Sequence, residues 1–184
     1  MERLAVAIDT ERLFKPINIA LLTVSDTRGP EDDTSGDFLA GRIRDKGHHL
    51  IARAIEKDDV PRLTSRINDW LDDPRVDCII TTGGTGLTGR DVTPETLVKI
   101  RKDNQGKDIP GFGELFRFLS LTSIGTSTVQ SRAMAIVARG KYIFALPGSN
   151  GAVKDGWDGI LNEQLDSRNR PCNFVELMPR LKEV

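Results

Sequence analysis

Three apolar runs constrain this chain more than anything else in it: Ile17-Asn18-Ile19-Ala20-Leu21-Leu22-Thr23-Val24, Val76-Asp77-Cys78-Ile79-Ile80 and Tyr142-Ile143-Phe144-Ala145-Leu146. They are near-continuous rather than alternating, the pattern of strands covered on both faces in a parallel sheet. Helical spacing recurs between them. A helix is predicted from about Gly36 to Lys46, with Phe38, Leu39 and Ile43 inward, Ser35 as its cap and Gly47 at its stop. Pro61 opens another, in which Leu63, Ile67 and Leu71 recur every four residues. Thr93-Pro94 suits the cap and first position of a third, running to about Lys102. A fourth carries Phe112, Leu115, Phe116 and Leu119 as core positions, and a last one buries Val153, Trp157, Ile160, Leu161 and Leu165. His49–Ile55 reads as a further strand. Ala133–Ala138 fits either helix or strand, and with Arg139-Gly140-Lys141 as a turn it can form a hairpin with the Tyr142 run.

Strand, polar loop and helix therefore alternate. That order predicts an α/β fold: an open, mostly parallel sheet flanked by helices on both faces, with a small β-hairpin. The 184 residues supply one sizeable core rather than two. The expected division is an N-terminal arm, 1–16, and a single domain, 17–184, with a polar tail from Asp166 to Val184. Leu4, Val6 and Ile8 alternate in the arm, so strand pairing with a neighbouring subunit is conceivable there.

In such a sheet the loops after the strands meet at one edge, so Ser25–Ser35, Glu56–Asp59, Gly83–Asp91 and Pro147–Gly151 should share a cleft. The richest of these is Thr81-Thr82-Gly83-Gly84-Thr85-Gly86-Leu87-Thr88-Gly89-Arg90-Asp91. A tight turn does not need so many small and polar residues. Glycine backbone and threonine hydroxyls can surround a phosphate, and Asp91 can handle a metal or a proton. Gly84 to Gly89 formally matches the dinucleotide fingerprint G-x-G-x-x-G. The fingerprint needs its helix to begin within the glycines, whereas Pro94 sets the start well past them, which argues against nicotinamide binding. No P-loop lysine motif is present. Asp58 and Asp91, on neighbouring loops, could instead hold Mg²⁺ while it bridges phosphate oxygens.

A net charge of −1 gives no basic field for nucleic acid, and no apolar run approaches a membrane span. Residues 1–10 lack the layout of a secretory leader, and Cys78 and Cys172 have neither disulfide-framework nor metal-ligand spacing. A cytoplasmic setting is expected. His48-His49 cannot easily share a metal from adjacent strand positions and reads as structural.

Four motifs in order carry a family resemblance: Thr82-Gly83-Gly84-Thr85-Gly86, Arg90-Asp91-Val92-Thr93-Pro94-Glu95, Pro110-Gly111-Phe112-Gly113-Glu114 and Leu146-Pro147-Gly148. The chain resembles, over about residues 15–178, the molybdopterin-binding family of MoaB, MogA and the gephyrin G domain. Glu31–Gly36, Ile124–Thr128 and Arg170–Phe174 resemble the MoaB branch in particular. The resemblance implies the Rossmann-type three-layer fold of that family. It also implies transfer of AMP from Mg-ATP to the terminal phosphate of molybdopterin, with Asp58 and Asp91 as the essential, metal-handling aspartates. Ser25, Thr85 and its neighbours Gly83, Gly84 and Gly86 fall where members contact the pterin phosphate or nucleotide. Pro147, Gly148 and Ser149 form the second small-residue loop, and Gly111, Gly113 and Glu114 the second glycine motif. Many members have Pro where this chain has Asn150. The implied assembly is a homotrimer or a dimer of trimers, with other molybdenum cofactor biosynthesis proteins as further partners. The alternative is a homologue that binds or delivers molybdopterin without catalysis.

Overall fold

Each apolar run becomes a strand of one six-stranded sheet. The computed structural model describes residues 7–183. Its strands are β1 (Ala7–Ile8), β2 (Asn18–Val24), β3 (His49–Glu56), β4 (Cys78–Thr82), β5 (Lys107–Asp108), β6 (Met134–Ala138), β7 (Lys141–Leu146) and β8 (Asn169–Arg170). The main sheet has the order β3-β2-β4-β7-β6-β5, parallel through its first four strands and antiparallel from β7 to β6 and from β6 to β5. The ambiguous 133–138 segment is thus a strand, paired with β7 across a tight turn in which Arg139 and Gly140 both take positive φ, 49° and 73°.

Helices cover both faces: α1 (Thr34–Asp45), α2 (Val60–Asp72), α3 (Thr93–Asp103), α4 (Pro110–Ile124), α5 (Asn150–Gly156), α6 (Asn162–Gln164) and α7 (Phe174–Leu177), with a π-helical turn, Trp157–Leu161, between α5 and α6. The period-2 alternation of the strands divides the core in two. Ile19 and Leu21 of β2 pack with Leu39, Ile43, Phe112, Phe116 and Trp157 on one face. Ala20, Leu22 and Val24 pack with Leu63, Ile67, Leu97 and Ile100 on the other. Strands that feed two cores are apolar at nearly every position, which is why these runs do not alternate. Lys141, buried at the start of β7, donates its ammonium to the carbonyls of Trp70 (3.1 Å) and Asp73 (2.5 Å) and so closes the end of α2.

Local details depart from the sequence reading. The cap of α1 is Asp33, not Ser35: Asp33 Oδ1 accepts from the Gly36 N–H at 3.0 Å. Thr93 is the first residue of α3 rather than its cap, and its hydroxyl donates to the Gly83 carbonyl at 2.9 Å. Leu115 is exposed, and of the four apolar positions named on α4 only Phe112 and Phe116 reach full burial. Ile8 pairs within its own chain, β1 lying antiparallel to β8, while Leu4 and Val6 fall outside the described residues. The polar tail is built into the domain: Asp166 is fully buried against Lys46 (2.9 Å) and Arg168 (2.9 Å), and Asn173 is buried as the cap of α7. Cys78 is buried, its thiol pushed up by burial and then by Asp77, and Cys172 is exposed; the two are unpaired. Among the described residues no helix is long and apolar enough to cross a membrane.

Two buried carboxylates hold the layers together. Burial alone would raise Asp33, but Arg53 (2.6 Å), the Thr23 hydroxyl (2.8 Å) and the Gly36 N–H outweigh it and hold its carboxyl below the ordinary value. Asp166 is lowered in the same way, its burial outweighed by Arg168 and Lys46. His48 is the opposite kind of group. Burial first, then Lys46, lowers its pKa from 6.5 to about 4; its Nδ1 accepts the Ile17 N–H at 3.2 Å, and its ring lies 5.0 Å from that of Phe14.

The folded chain therefore resists protonating His48 while the unfolded chain does not. The neutral ring's stabilisation is complete above about pH 6.5 and is lost as pH falls toward about 4. It amounts to about 3 kcal/mol across that window. The thermal midpoint should fall between pH 7 and pH 5, and His48→Asn, whose amide oxygen can replace Nδ1 as acceptor, should flatten that dependence; an unchanged slope in the variant would assign the effect elsewhere.

Candidate functional site

A cleft of about 810 Å³ opens at the carboxyl ends of β2, β4 and β7. It lies where the chain, having built β3 on one side of β2, crosses to build β4 on the other. The four loops expected to converge do so: Ser25 and Arg28 after β2, Asp58 after β3, Gly83–Gly86 with Asp91 after β4, and Pro147, Gly148 and Ser149 after β7 all line it. Hydrogen bonds join loop to loop. The Gly83 N–H donates to the Leu146 carbonyl at 2.9 Å, and the Thr82 hydroxyl to the Pro147 carbonyl at 3.1 Å. Ser25 Oγ accepts the N–H groups of Thr27 (3.3 Å) and Arg28 (3.1 Å), folding its own loop back over the strand end.

The glycines of the β4 loop make room for carboxylates. A Cβ on Gly84, which has a φ of 63°, would meet Asp58 Oδ1 at 2.6 Å and the Thr93 hydroxyl at 2.5 Å. One on Gly86 would meet Asp91 Oδ2 at 2.8 Å. Two aspartates from different loops thus press on the same stretch of backbone, and any larger residue there would displace one of them.

Their environments push them apart. Asp58 is raised, by burial first and then by the charges of Asp26 and Asp91, against weaker help from Arg90 and the Asp26 N–H. Asp91 also feels burial first, but the Thr88 hydroxyl (2.7 Å) and N–H (2.9 Å), the Gly86 N–H and the charge of Arg132 leave it below the ordinary value. Asp26 is held by a bidentate pair with Arg90 at 2.8 and 2.6 Å, which bridges the β2 and β4 loops. Among the described residues no cluster of three or more His, Cys, Asp or Glu side chains could hold a metal by itself.

Asn150 takes the first helical position of α5, the place proline favours, and Ser149 caps that helix by accepting the Ala152 N–H at 3.2 Å. The Asn150 side-chain oxygen also accepts from the Thr34 hydroxyl at 3.1 Å, so the loop is tied down without proline.

Three predicted residues lie elsewhere. Gly111, Gly113 and Glu114 are outside the cleft lining; Gly113 and Glu114 border a separate depression of about 300 Å³ between the start of α4 and β6. Gly113 is needed there for packing, because a Cβ would run into the Ala133 carbonyl.

Other residues, not singled out in the sequence, shape the site. Arg132 donates from Nε to the Gly86 carbonyl (2.7 Å), from Nη2 to the Asp91 carbonyl (2.7 Å) and from Nη1 to Glu95, holding the β4 loop from Gly86 to the start of α3. At the far wall the hydroxyls of Ser120 (3.1 Å) and Ser123 (2.9 Å) both donate to Asp155 Oδ2, beside the apolar Phe116 and Ile124. Asp155 Oδ1 receives no hydrogen bond among the described residues.

Known proteins share this chain's sequence and fold. Residues 20–167 match the family described as "Probable molybdopterin binding domain". The chain is 45% identical over 170 residues to molybdenum cofactor biosynthesis protein B of Escherichia coli strain K12, covering 92% of this chain and 96% of that protein. A crystal structure of a molybdenum cofactor biosynthesis protein B superposes with a TM-score of 0.81 at 33% identity, covering 92% of this chain and 98% of the other. The tungsten cofactor synthesizing protein MoaB from Pyrococcus furiosus superposes with a TM-score of 0.72 at 34% identity, over 81% of this chain and 92% of its own. The fold, the cleft and these likenesses agree: the chain belongs to the molybdopterin-binding domain family of molybdenum cofactor biosynthesis proteins.

Proposed function

We propose that the cleft binds molybdopterin and transfers AMP from Mg-ATP to its terminal phosphate. The observation that carries this reading is the meeting of Asp58 and Asp91 at the glycine loop, with opposite shifts in pKa. Two carboxylates in a phosphate site repel the ligand unless a cation offsets them. Asp58 has no cationic hydrogen-bond partner among the described residues, and both aspartates are hard oxygen donors, which fits Mg²⁺ held by one or two carboxylates, by water and by substrate phosphates. When bound, Mg²⁺ would neutralise phosphate charge and align the reacting groups. The backbone of Gly83–Gly86 and the hydroxyl of Thr85 would hold the phosphates, with Ser25 and Ser149 at the flanking loops.

The heterocycle is assigned to the opposite wall. A pterin presents an N3–H and a 2-amino group side by side, two donors that suit the open Oδ1 of Asp155, while Phe116 and Ile124 supply apolar contact. Adenine lacks that pair of donors. The two serine hydroxyls fix the carboxylate for this role.

Self-association is part of the proposal. Leu115, Phe118, Leu121 and Ile124 form an exposed apolar stripe along α4, continued by Val129. A trimer, alone or doubled, would cover it.

Purified protein should form adenylylated molybdopterin from Mg-ATP and molybdopterin. Asp91→Asn should lower that rate by about a hundredfold or more while pterin binding persists. Wild-type protein that binds the pterin without turnover would decide for a binding or delivery role. Asp155→Asn should weaken molybdopterin binding by about tenfold and leave ATP binding unchanged in a calorimetric titration; equal losses for both ligands would remove the assignment of the pterin to that wall. Phe118→Glu should convert an oligomer into a monomer by light scattering, and wild-type protein that is already monomeric would dismiss the assembly.

A further inference from the structure

The glycine motif at the start of α4 lies outside the cleft, yet a line of contacts leads from it to the loop after β4. A Cβ on Gly113 would run into the Ala133 carbonyl and would meet Nη1 and Nη2 of Arg117 at 3.1 and 3.2 Å. The bare backbone there leaves room for the Arg117 guanidinium to lie against the first turn of α4. From that place Arg117 Nη1 donates to the carbonyls of Ser131 (3.4 Å) and Ala133 (3.2 Å). The Arg117 carbonyl in turn accepts the Thr128 hydroxyl at 3.0 Å, and the Ser131 N–H donates to the Thr128 carbonyl at 3.0 Å. The chain that leaves α4 is therefore fastened back to it on both sides of one residue, Arg132.

Arg132 carries the line onward. Its N–H donates to the Thr85 carbonyl at 3.2 Å, its Nε and Nη2 donate to the carbonyls of Gly86 and Asp91, each at 2.7 Å, and its Nη1 pairs with Glu95. Gly86 and Asp91 are the two ends of an exposed turn, Leu87–Arg90. Among the described residues the other hydrogen bonds of that turn run within it, between Thr88 and Asp91, or to the surface pair of Arg90 with Asp26. An exposed ion pair holds a backbone weakly. A guanidinium keeps its donors in a rigid plane, so one side chain spans both carbonyls; the ammonium of a lysine has no such fork.

We infer that Gly113, Arg117 and Arg132 form a brace of positioning residues that sets the backbone of Gly86 and Asp91 for the chemistry of the cleft. The second glycine motif thus serves the site without touching a ligand. Gly113 makes room for Arg117, Arg117 aims Arg132, and Arg132 fixes the span that carries the Asp91 carboxylate. The effect on catalysis rests on the adenylyl-transfer reading. The brace itself needs no ligand.

The test is amide hydrogen exchange of the full chain, read by mass spectrometry, for wild type, Arg132→Gln, Arg132→Lys and Gly113→Ala, with turnover measured on the same preparations. Exchange across residues 85–91 should be about tenfold faster or more in each variant, while exchange in β2, β4 and β7 stays as in wild type. Arg132→Lys keeps the charge and loses the fork, so it should resemble Arg132→Gln. In turnover the variants should lose kcat by about ten- to a hundredfold per folded molecule, with little change in KM for molybdopterin, because the wall at Asp155 is intact. Arg117→Gln needs no room at Gly113 and repeats the test should Gly113→Ala not fold. Unchanged loop exchange in Arg132→Gln would overturn the brace even where adenylylated molybdopterin forms, and faster exchange spread evenly over the strands would reduce it to general stability. Full recovery by Arg132→Lys would replace the fork by a mere charge and overturn it equally. A loosened loop in variants of a protein that does not turn over would keep the brace and remove only the transfer reaction.

Discussion

The parallel pairing of β2 with β4 sets the separation of everything at the mouth of the cleft. Ile19 lies opposite Cys78 and Thr23 opposite Thr82, so the loops that leave Val24 and Thr82 begin side by side. The next links are side chains. The Thr93 hydroxyl and N–H return to the Gly83 and Gly84 carbonyls, each at 2.9 Å, which fixes the start of α3 against the loop it follows. Arg132 then holds the outer part of the same loop from the segment that leads into β6, two places away in the sheet. A one-residue slip between β2 and β4 would exchange the two cores and separate Asp58 from the backbone it presses on.

Such a network explains which parts could be read from sequence. The central strands β2, β4 and β7 were legible because double-sided burial forces unbroken apolar runs, whereas β5, two exposed polar residues, carried no such signal and β6 fitted helix as well as strand; the convergence of four loops follows from parallel topology alone. Asp58 and Asp91 stood out through family resemblance, and the structure adds the reason for the glycines around them, since Gly84 and Gly86 face the two carboxylates. Helix starts were misread where polar groups had a stronger long-range partner. Thr93 falls inside α3 and ties back to the Gly83 carbonyl, and Ser35 gave way to Asp33, whose carboxylate also takes Arg53 and Thr23.

The remaining parts had no local signature. Arg132 meets residues 37 to 46 positions away, and nothing in its own neighbourhood marks it as the organiser of a glycine loop. Ser120 and Ser123 sit one turn apart on α4 and Asp155 on α5, and they become a polar wall only when the two helices pack. The tail looked like a solvated end because its residues are polar. It is buried because those polar residues satisfy one another: Asp166 takes Lys46 and Arg168, and Asn173 donates to the carbonyls of Ser167 and Asn169. Gly111, Gly113 and Glu114 show the converse, a motif conspicuous in the sequence that lies apart from the cleft within one chain.

The raised Asp58 gives the cleft a thermodynamic character of its own. Burial first, and then the charges of Asp26 and Asp91, with only partial compensation, make it a locally frustrated patch in a fold where Asp33 and Asp166 are well paired. Burial and repulsion of this kind exist only in the folded chain, so they subtract from conformational stability until something neutralises them. A ligand that does so binds the folded state and not the unfolded one, and its binding free energy becomes folding free energy. Occupancy and persistence of the fold are therefore linked: in a cell, the chain that has met its ligand is also the chain that resists unfolding and turnover longest.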